Sequence, residues 1–249
     1  MEIILAVDVG NTNIDFGIFR EGRLKQSFKI PTHKIKSVSL QKFFQKLKPQ
    51  EAIICSVVPK LNRELERKIK KIVGKKPFFV GKDIFVPLKN LYRNPKQVGQ
   101  DRLVNAYAAS RLYQLPAVVV DFGTAITFDV ISKKKEYLGG MILPGLSISL
   151  EALYKNTALL PKIKLSKPQE FIGKDTKNSI LSGIIYGFSC LTDELTRRIR
   201  KIIGKNTLLI GTGGNIKLIF PYCQKLNKID PFLTLKGLFL LSRNCRKKV

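Results

Sequence analysis

Histidine is nearly absent from this sequence, and its scarcity excludes some kinds of active site. His33 is the single histidine among 249 residues. A serine-type catalytic triad or a histidine-rich metal site would have to form around this one residue. Because His33 follows a Pro-Thr pair and precedes a lysine, we predict a surface loop there and no catalytic centre.

Cysteine is also scarce, and the pattern of the four cysteines argues against a zinc site. Cys55, Cys190, Cys223 and Cys245 are far apart, with no CxxC pair and no neighbouring histidine. Cys55 and Cys190 lie in apolar runs, so we expect both to be buried as small hydrophobic residues. This cysteine usage is typical of a protein from a reducing compartment.

Long apolar runs are missing as well. The longest uncharged stretch, residues 178–192, is interrupted by glycines and is shorter than the ~18 apolar residues that a membrane span needs. The amino terminus, MEIILAVDVG, lacks the charged n-region of a signal peptide. We therefore expect a cytoplasmic protein without a membrane partner.

Acidic residues are few compared with basic ones. The sequence has 18 Asp and Glu against 45 Lys and Arg, a net charge of +27 and a pI near 10.1. Such a field attracts polyanions, so nucleic acid, anionic lipid and phosphorylated small molecules all stay open as partners. Because the lysines are spread along the chain and mostly flank apolar helical positions, the pattern favours a generally basic surface over one binding patch.

The first part of the chain predicts three antiparallel strands followed by alternating strands and helices. The strands are an apolar run at 3–7 and alternating runs at 14–19 and up to Ile30, separated by tight turns. Further strands are predicted at 52–58 and 77–80, and helices at 37–48, 61–73 and 103–113. This order is typical of an α/β domain.

A second copy of the opening pattern begins at Ala117. Apolar residues 117–120 lead to Asp121-Phe122-Gly123, as residues 3–7 lead to Asp8-Val9-Gly10. Another strand meander follows, then helices ending at Tyr154 and spanning 176–202 and 232–242, with a strand at 207–210. A meander needs glycine turns, but it does not need an Asp before the glycine twice. We therefore predict a duplicated α/β protein with halves 1–115 and 116–249, each a mixed sheet flanked by helices, with a cleft between them.

Three polar glycine turns follow predicted strands, at residues 8–12, 121–124 and 211–214. The backbone N–H groups of such turns can bind phosphate oxygens, and an Asp at the strand end can hold a hydrated Mg²⁺ beside them. Each turn alone is weak evidence, but three in a duplicated frame indicate a site for nucleotide phosphates. Neither GxxxxGK[ST] nor GxGxxG occurs, so the site is not a P-loop or a Rossmann turn.

The segment Gly99-Gln100-Asp101-Arg102 allows two interpretations. Asp101 can be an acid of the first helical turn that complements the helix dipole. Alternatively, its carboxylate stands near a hydroxyl nucleophile while Arg102 binds an anionic group. In phosphoryl transfer the base contributes less than positioning and charge neutralisation do. The residues alone leave both interpretations open.

Several motifs together resemble those of type III pantothenate kinases, in order and in approximate spacing. They are DVGNTN, VVP, VGQDRLVNA, DFGTAITFD, GGMILPG, IGKDTKNSILSGIIYG, TGG and PFLTLKGL, and they extend over essentially the whole chain. The resemblance implies an actin-like (ribonuclease H-like) fold of the acetate and sugar kinase superfamily. It also implies ATP-dependent phosphorylation of pantothenate to 4'-phosphopantothenate, the first step of coenzyme A biosynthesis.

The same resemblance implies roles for individual residues. The ATP-binding residues would be Asp8, Val9, Gly10, Asn11, Thr12, Asn13, Ile14, Asp15 and Thr124, with Asp8 near the Mg²⁺ that accompanies ATP. Asp101 would be the general base, and Asp121 would hold a monovalent cation, K⁺ or NH₄⁺. Pantothenate would contact Tyr92, Gly99, Gln100, Asp101, Arg102 and Thr176, at a site completed across a homodimer. Gln100 departs from the family, which usually has a small residue there.

A nucleic-acid-associated function is the alternative. Members of the same superfamily branch are described as accessory factors in transcription, and the high pI suits a polyanionic partner. Against this alternative, Asp101 and all three glycine turns are present, and the basic residues do not cluster with a recognition helix. The sequence therefore favours a metabolic kinase.

Overall fold

The computed structural model describes residues 2–44 and 47–246. Its strands are β1 Ile3–Val9, β2 Asn13–Arg20, β3 Arg23–Pro31, β4 Glu51–Ser56, β5 Phe78–Phe79, β6 Lys89–Asn90, β7 Ala117–Phe122, β8 Ala125–Ile131, β9 Glu136–Pro144, β10 Leu208–Thr212 and β11 Lys228–Ile229. Its helices are α1 Asn62–Val73, α2 Gln100–Leu112, α3 Leu146–Lys155, α4 Thr176–Ile203, α5 Ile216–Ile219 and α6 Leu233–Arg246. No helix among these residues is both long enough and apolar enough to cross a membrane.

The chain divides into two compact units. The first comprises Met1–Leu88, Arg93–Arg111 and Leu233–Val249, and the second comprises Lys89–Tyr92 and Leu112–Phe232. These units differ from the predicted halves, 1–115 and 116–249, at the carboxyl end, because α6 packs against β1, β2 and β4. The division into halves 1–115 and 116–249, which was inferred from the repeated sequence pattern, therefore remains a prediction.

The sheet of the first unit has the order β3-β2-β1-β4-β5. The first three strands are antiparallel, as predicted, and β4 lies parallel to β1. Successive side chains of a strand point to opposite faces, so Leu5 and Val7 enter one apolar core while Ile4 and Ala6 enter another. Helix α1 contributes to the first core, and α2 and α6 contribute to the second.

The sheet of the second unit repeats this topology. Its order is β11-β10-β7-β8-β9-β6, with β7, β8 and β9 antiparallel and β10 parallel to β7. If the strands are counted in chain order from β1 in the first sheet and from β7 in the second, both sheets have the spatial order third, second, first, fourth, fifth. Strand β6 is an additional edge strand of the second sheet, next to β9. Asp8 and Asp121 each occupy the last but one position of the first strand in their sheet. The predicted fold class, two mixed sheets flanked by helices, is confirmed.

The helix predicted over residues 37–48 was wrong. The described part of this segment contains only a short 3-10 turn, Leu40–Phe43, and residues 45–46 lie outside the described residues. The Nζ of Lys68 in α1 donates hydrogen bonds to the carbonyl oxygens of Lys36 at 3.2 Å and Val38 at 3.0 Å. A lysine side chain therefore binds carbonyls that the N–H groups of a helix would otherwise use.

The other predicted helices form, with shifted ends. Helix α2 begins at Gln100, three residues before its predicted start, so the Gly99–Arg102 segment lies at the first turn. The strands β6 and β11 and the helix α5 were not predicted, because elements of two to four residues leave no periodicity in the sequence.

Candidate active site

The first glycine turn is fixed by its own backbone and by a threonine that follows β3. The N–H of Gly10 donates to the carbonyl oxygen of Asn13 at 2.9 Å. Thr32 donates from Oγ1 to the carbonyl of Gly10 at 2.7 Å, and from its N–H to the carbonyl of Thr12 at 2.9 Å. Thr32 is buried. Thr32 was not predicted as a site residue, because its one signal in the sequence was its place at the end of the strand that pairs with β2.

The side chains of the first glycine turn differ in what they can offer a ligand. Asn11 and Thr12 are exposed at its tip. Val9 and Ile14 are fully buried in the apolar core. They can therefore contact a ligand only through their backbone groups.

Asp15, predicted to close the ATP segment, is engaged by a lysine. Its Oδ1 lies 3.8 Å from the Nζ of Lys29. Burial raises the pKa of the Asp15 carboxyl, and the charge and hydrogen bond of Lys29 partly offset that rise. Its carboxylate is therefore less available to a bound metal than an unpaired acid would be.

Asp8 lies beside a buried thiol. It is paired with Cys55 across the parallel strands β1 and β4, so both side chains lie on the same face of the sheet. Burial raises the pKa of the Cys55 thiol well above its ordinary value, and the charges of Asp8 and Asp101 raise it further. Ala6 of β1, Cys55 and Val104 of α2 pack in one apolar cluster, so the strand that carries Asp8 and the first turns of the helix that carries Asp101 lie on the same side of the sheet as Cys55.

Asp101 lies in the first turn of α2, close against Gly99. A Cβ atom built on Gly99 would stand 2.5 Å from Oδ1 of Asp101. Burial raises the pKa of the Asp101 carboxyl, while backbone hydrogen bonds and the charge of Arg102 limit the rise. The result is a carboxylate that accepts a proton more readily than a surface Asp.

Gln100 and Arg102, the residues on either side of Asp101, both pack within the first unit. Arg102 is only 6% exposed. Gln100 packs against Gly81, where a Cβ atom would lie 2.8 Å from Cδ of Gln100. The absence of a side chain at Gly81 therefore leaves the room that Gln100 occupies.

In the second unit, two glycine turns meet around one carboxylate. Asp121 of β7 is paired with Thr212 of the parallel strand β10. Its Oδ1 would lie 3.3 Å from a Cβ atom on Gly123 and would overlap a Cβ atom on Gly213. Gly213 has φ of +91°, a conformation that other residues rarely adopt. The second and third predicted phosphate turns are thus brought together at Asp121.

Asp129, which was not predicted as a site residue, is a buried acid on the same face of the second sheet as Asp121. Its Oδ1 accepts a hydrogen bond from Tyr137 at 2.9 Å, and its Oδ2 accepts one from Thr127 at 3.1 Å. Thr127 is paired with Asp121 across β7 and β8. Alternation along the strand puts Asp121, Thr127 and Asp129 on one face. The signal available in the sequence was an acid within an apolar strand.

Thr124 and Tyr92 also lie in the second unit. Thr124 is exposed, directly after the Gly123 turn. The ring of Tyr92 packs against Gly139, and the N–H of Tyr92 donates to Oδ1 of Asn90 at 3.0 Å. Tyr92 is therefore a partly buried residue with a fixed backbone.

Thr176 is the exposed first residue of α4. The helix is capped by Asp175, whose Oδ1 accepts a hydrogen bond from the N–H of Asn178 at 2.8 Å. A cavity of about 700 Å³ opens beside it, and its lining includes Leu153, Leu160, Lys174, Thr176 and Ser179. The site around Thr176 therefore combines the N-terminus of a helix, the positive charge of Lys174 and an apolar wall that includes Leu153 and Leu160.

The predicted site residues fall into two groups. Residues 8–15 and 99–102 belong to the first unit, and Tyr92, Asp121, Thr124 and Thr176 belong to the second. Within residues 2–44 and 47–246, no three His, Cys, Asp or Glu side chains cluster closely enough to hold a metal ion. A cation at Asp8 or Asp121 would therefore need further oxygen ligands from a substrate, from water or from the backbone.

Known proteins are similar to this chain in sequence and in fold. A family model described as type III pantothenate kinase matches residues 4–198. A Campylobacter jejuni protein assigned to the Baf family of transcriptional activators matches with 22% identity and a TM-score of 0.62, covering 98% of this chain and 99% of that one. Component A of (R)-2-hydroxyglutaryl-CoA dehydratase from Acidaminococcus fermentans matches with 13% identity and a TM-score of 0.57, covering 100% and 99%.

A third solved structure extends the comparison to sugar kinases. A Sinorhizobium meliloti protein assigned as a 2-dehydro-3-deoxygalactonokinase matches with 12% identity and a TM-score of 0.59, covering 97% of this chain and 96% of that one. At these identities the structural matches show the fold alone, the actin-like fold of ATPases and sugar kinases.

The family match confirms the resemblance that the sequence motifs predicted. It extends from β1 into α4 and includes every predicted site residue. The glycine turns at Asp8 and Asp121 and the partly buried carboxylate of Asp101 all lie inside it. With more than half of the chain matched, this kinase belongs to the type III pantothenate kinase family.

Proposed function

We propose that the enzyme transfers the γ-phosphoryl group of ATP to the primary hydroxyl of pantothenate, forming 4'-phosphopantothenate. The observation that carries this proposal is that Asp8 is paired with Cys55 across β1 and β4, while Cys55 packs in one apolar cluster with Val104, one turn after Asp101 in α2. A glycine turn suited to phosphates and a partly buried carboxylate therefore share one region of the first unit. That arrangement suits phosphoryl transfer, in which the nucleotide and the acceptor hydroxyl must be held in line.

In this proposal ATP binds at the first glycine turn. Backbone N–H groups and the exposed Asn11 and Thr12 bind the phosphate oxygens. Asp8 would hold the hydrated Mg²⁺ that accompanies ATP, and that ion would supply positive charge beside the phosphates. Thr32 supports the turn through its two hydrogen bonds.

Asp101 accepts the proton of the attacking hydroxyl. Its burial raises its pKa, which makes it a stronger proton acceptor than a surface Asp. The charge of Arg102 works in the opposite direction and favours the ionised form that a base needs. General-base catalysis contributes about 10²- to 10⁴-fold to such reactions.

Roles for four residues of the second unit are part of the same proposal. Asp121 binds K⁺ or NH₄⁺, and Thr124 contacts ATP. Tyr92 and Thr176 contact pantothenate. A single carboxylate close to two glycine turns suits a monovalent cation whose other ligands come from water, the nucleotide or the backbone.

We also propose a cytoplasmic homodimer whose interface completes the site at Thr176. Three apolar side chains next to residues that line the Thr176 cavity are strongly exposed: Leu159 at 92%, Phe171 at 66% and Ile172 at 76%. Clustered exposed apolar residues mark interaction surfaces. Light scattering is expected to give twice the chain mass, and Ile172→Glu is expected to lower the mass and raise the KM for pantothenate. A monomeric wild-type enzyme with full activity would contradict this part of the proposal.

An ADP-release assay with chosen acceptors tests the reaction. The enzyme, Mg²⁺-ATP and K⁺ are combined with pantothenate or with each of a panel of sugars and simple alcohols. We expect ADP release to depend on pantothenate, with little release for the other acceptors. Faster release with a sugar than with pantothenate would overturn the assigned substrate while leaving the kinase family intact.

The net charge of +27 favours one second candidate, binding to nucleic acid. The Campylobacter jejuni structure assigned to the Baf family of transcriptional activators has a similar fold. A titration with duplex DNA over a salt series tests it. A merely basic surface is expected to bind weakly and to lose affinity steeply with salt. Tight binding at physiological salt by a protein that releases no ADP would favour the second candidate.

A further inference from the structure

One face of α4 carries three polar or reactive side chains at helical spacing. Tyr186, Cys190 and Asp193 follow one another at intervals of four and three residues. Residues spaced in this way lie side by side along a helix. The segment 220–225, which follows α5, packs against α4.

Two contacts fix the register between α4 and this segment. The ring of Tyr186 meets the ring of Tyr222 edge to face, with the centroids 5.0 Å apart. Further along, one carboxylate oxygen of Asp193 accepts a hydrogen bond from the N–H of Gln224 at 2.8 Å, and the other accepts one from Lys225 at 2.9 Å. The segment therefore runs along the helix face in the same direction as the helix.

This register brings two cysteines opposite each other. Cys223 lies between the two contacts on the segment, and Cys190 lies between them on the helix. Burial, followed by the charges of Asp193 and Cys190, raises the pKa of Cys223 to about 12. The electrostatic effect of one thiol on the other agrees with the geometric register.

The exposure of the two thiols differs. Cys190 is exposed and Cys223 is half-buried. The prediction that Cys190 is buried was wrong, because its apolar sequence neighbours face the core while the helix turns Cys190 toward the solvent. The prediction for Cys55, which is fully buried, is confirmed. An oxidant in solution therefore reaches Cys190 first.

We propose that Cys190 and Cys223 are a redox modification site that closes to a reversible disulfide when the protein meets a hydroperoxide. The Cys190 thiolate attacks one peroxide oxygen, the O–O bond breaks, and the departing hydroxide takes a proton to become water. The sulfenic acid formed on Cys190 is then attacked by the sulfur of Cys223, which forms the S–S bond and releases a second water. In total the two thiols lose two electrons, and one hydrogen peroxide becomes two waters.

The disulfide would join α4 to the segment between α5 and β11, and it would close a loop of roughly 30 residues. A crosslink of this kind restricts the unfolded chain. The oxidised protein is therefore expected to melt roughly 5–10 °C higher than the reduced one. A dithiol reductant is expected to reverse the change, as suits a protein that works in a reducing compartment.

Peptide mapping of the full chain tests the proposal. The protein is treated with hydrogen peroxide, its remaining thiols are alkylated, and it is digested with trypsin without reductant. Each of the four cysteines lies in a different tryptic peptide, so the mass of a crosslinked pair identifies both partners. The expected product joins the Cys190 and Cys223 peptides, with a mass two hydrogens below their sum.

Serine variants supply the controls. Cys190→Ser and Cys223→Ser are expected to abolish both the crosslink and the rise in melting temperature, whereas Cys245→Ser is expected to keep both. Melting of the reduced variants checks that each one folds. The proposal is overturned if Cys190 is trapped as a sulfenic acid without a crosslink, if it resists peroxide, or if it pairs with Cys245 or with another chain.

Discussion

Gly99 leaves the space in which the carboxylate of Asp101 lies, since a Cβ atom at position 99 would stand 2.5 Å from Oδ1 of Asp101. Gly99→Ala is therefore expected to displace the proposed base. A displacement of about 1 Å can cost about 10²-fold in rate, so we expect kcat to fall by about that factor with the Kd for ATP little changed. Steady-state kinetics and ATP titration measure the two effects.

Gly187→Ala in α4 is the matched control for this substitution. Nothing lies within 4 Å of a Cβ atom at position 187, so kcat is expected to stay at the wild-type level. Equal activity of Gly99→Ala and Gly187→Ala would show that the position of the Asp101 carboxylate does not depend on the absence of a Cβ atom at position 99.

Asp101→Asn is expected to stabilise the protein at neutral pH. Burial raises the pKa of Asp101 in the folded state above its ordinary value of 3.8. The folded protein then binds the proton more tightly than the unfolded chain, so stability falls as pH rises between these two pKa values. Asparagine has no carboxyl to ionise, so the variant does not lose this stability as the pH rises. Melting curves are expected to show a higher Tm for the variant at pH 7 and no gain below pH 3.8, and a lower Tm at pH 7 would contradict the cause given for the shift.

Asp121→Asn is expected to remove the response to monovalent cations. The wild-type enzyme should turn over faster in K⁺ or NH₄⁺ than in Na⁺, because the carboxylate of Asp121 is proposed to bind the larger ions. The measurement is kcat at constant ionic strength in each salt. Glu151→Gln, which changes an exposed acid of α3 that pairs with Lys155, is the control and should keep the response. Equal rates of the wild-type enzyme in all three salts would undo the role of Asp121.

Asp175→Ala is expected to lower the Tm by loosening the start of α4. The N–H and side chain of Asn178 hold the pKa of the Asp175 carboxyl below its ordinary value of 3.8. A lowered pKa in the folded state means that this stabilisation is present above pH 3.8 and is lost as the pH falls through the lowered pKa. The Tm difference between wild type and variant should therefore shrink in acid, while Asp175→Asn, which keeps an acceptor oxygen, should lose less. A difference independent of pH would contradict the ionised cap.

The features that the sequence predicted are those that local patterns encode. The repeat of an apolar strand that ends in Asp-x-Gly predicted two similar sheets, and the two sheets have matching strand orders. The segment Gly99-Gln100-Asp101-Arg102 precedes a run of apolar residues at helical spacing. Its position at the start of a helix could therefore be predicted. The roles of individual residues came from the family resemblance, since two interpretations of Asp101 stayed open from the residues alone.

The features that the sequence did not predict depend on contacts between distant residues. Thr32 and Gly10 are bonded across 22 positions, and α6 packs on the first unit although it follows the second in the chain. Periodicity reports which face of an element is apolar, and it does not report which sheet covers that face. The failed helix at 37–48 has a similar origin, because Lys68 binds the carbonyls of that segment from another helix.

Turnover of pantothenate by the wild-type enzyme and by Asp101→Asn, measured beside the Kd of each for ATP, tests whether Asp101 is the base of a pantothenate kinase. ADP release is expected to depend on pantothenate in the wild type and to fall by about 10²- to 10⁴-fold in the variant, with similar ATP affinity in both. Near-normal turnover by Asp101→Asn, or no release with pantothenate by the wild-type enzyme, would contradict this assignment.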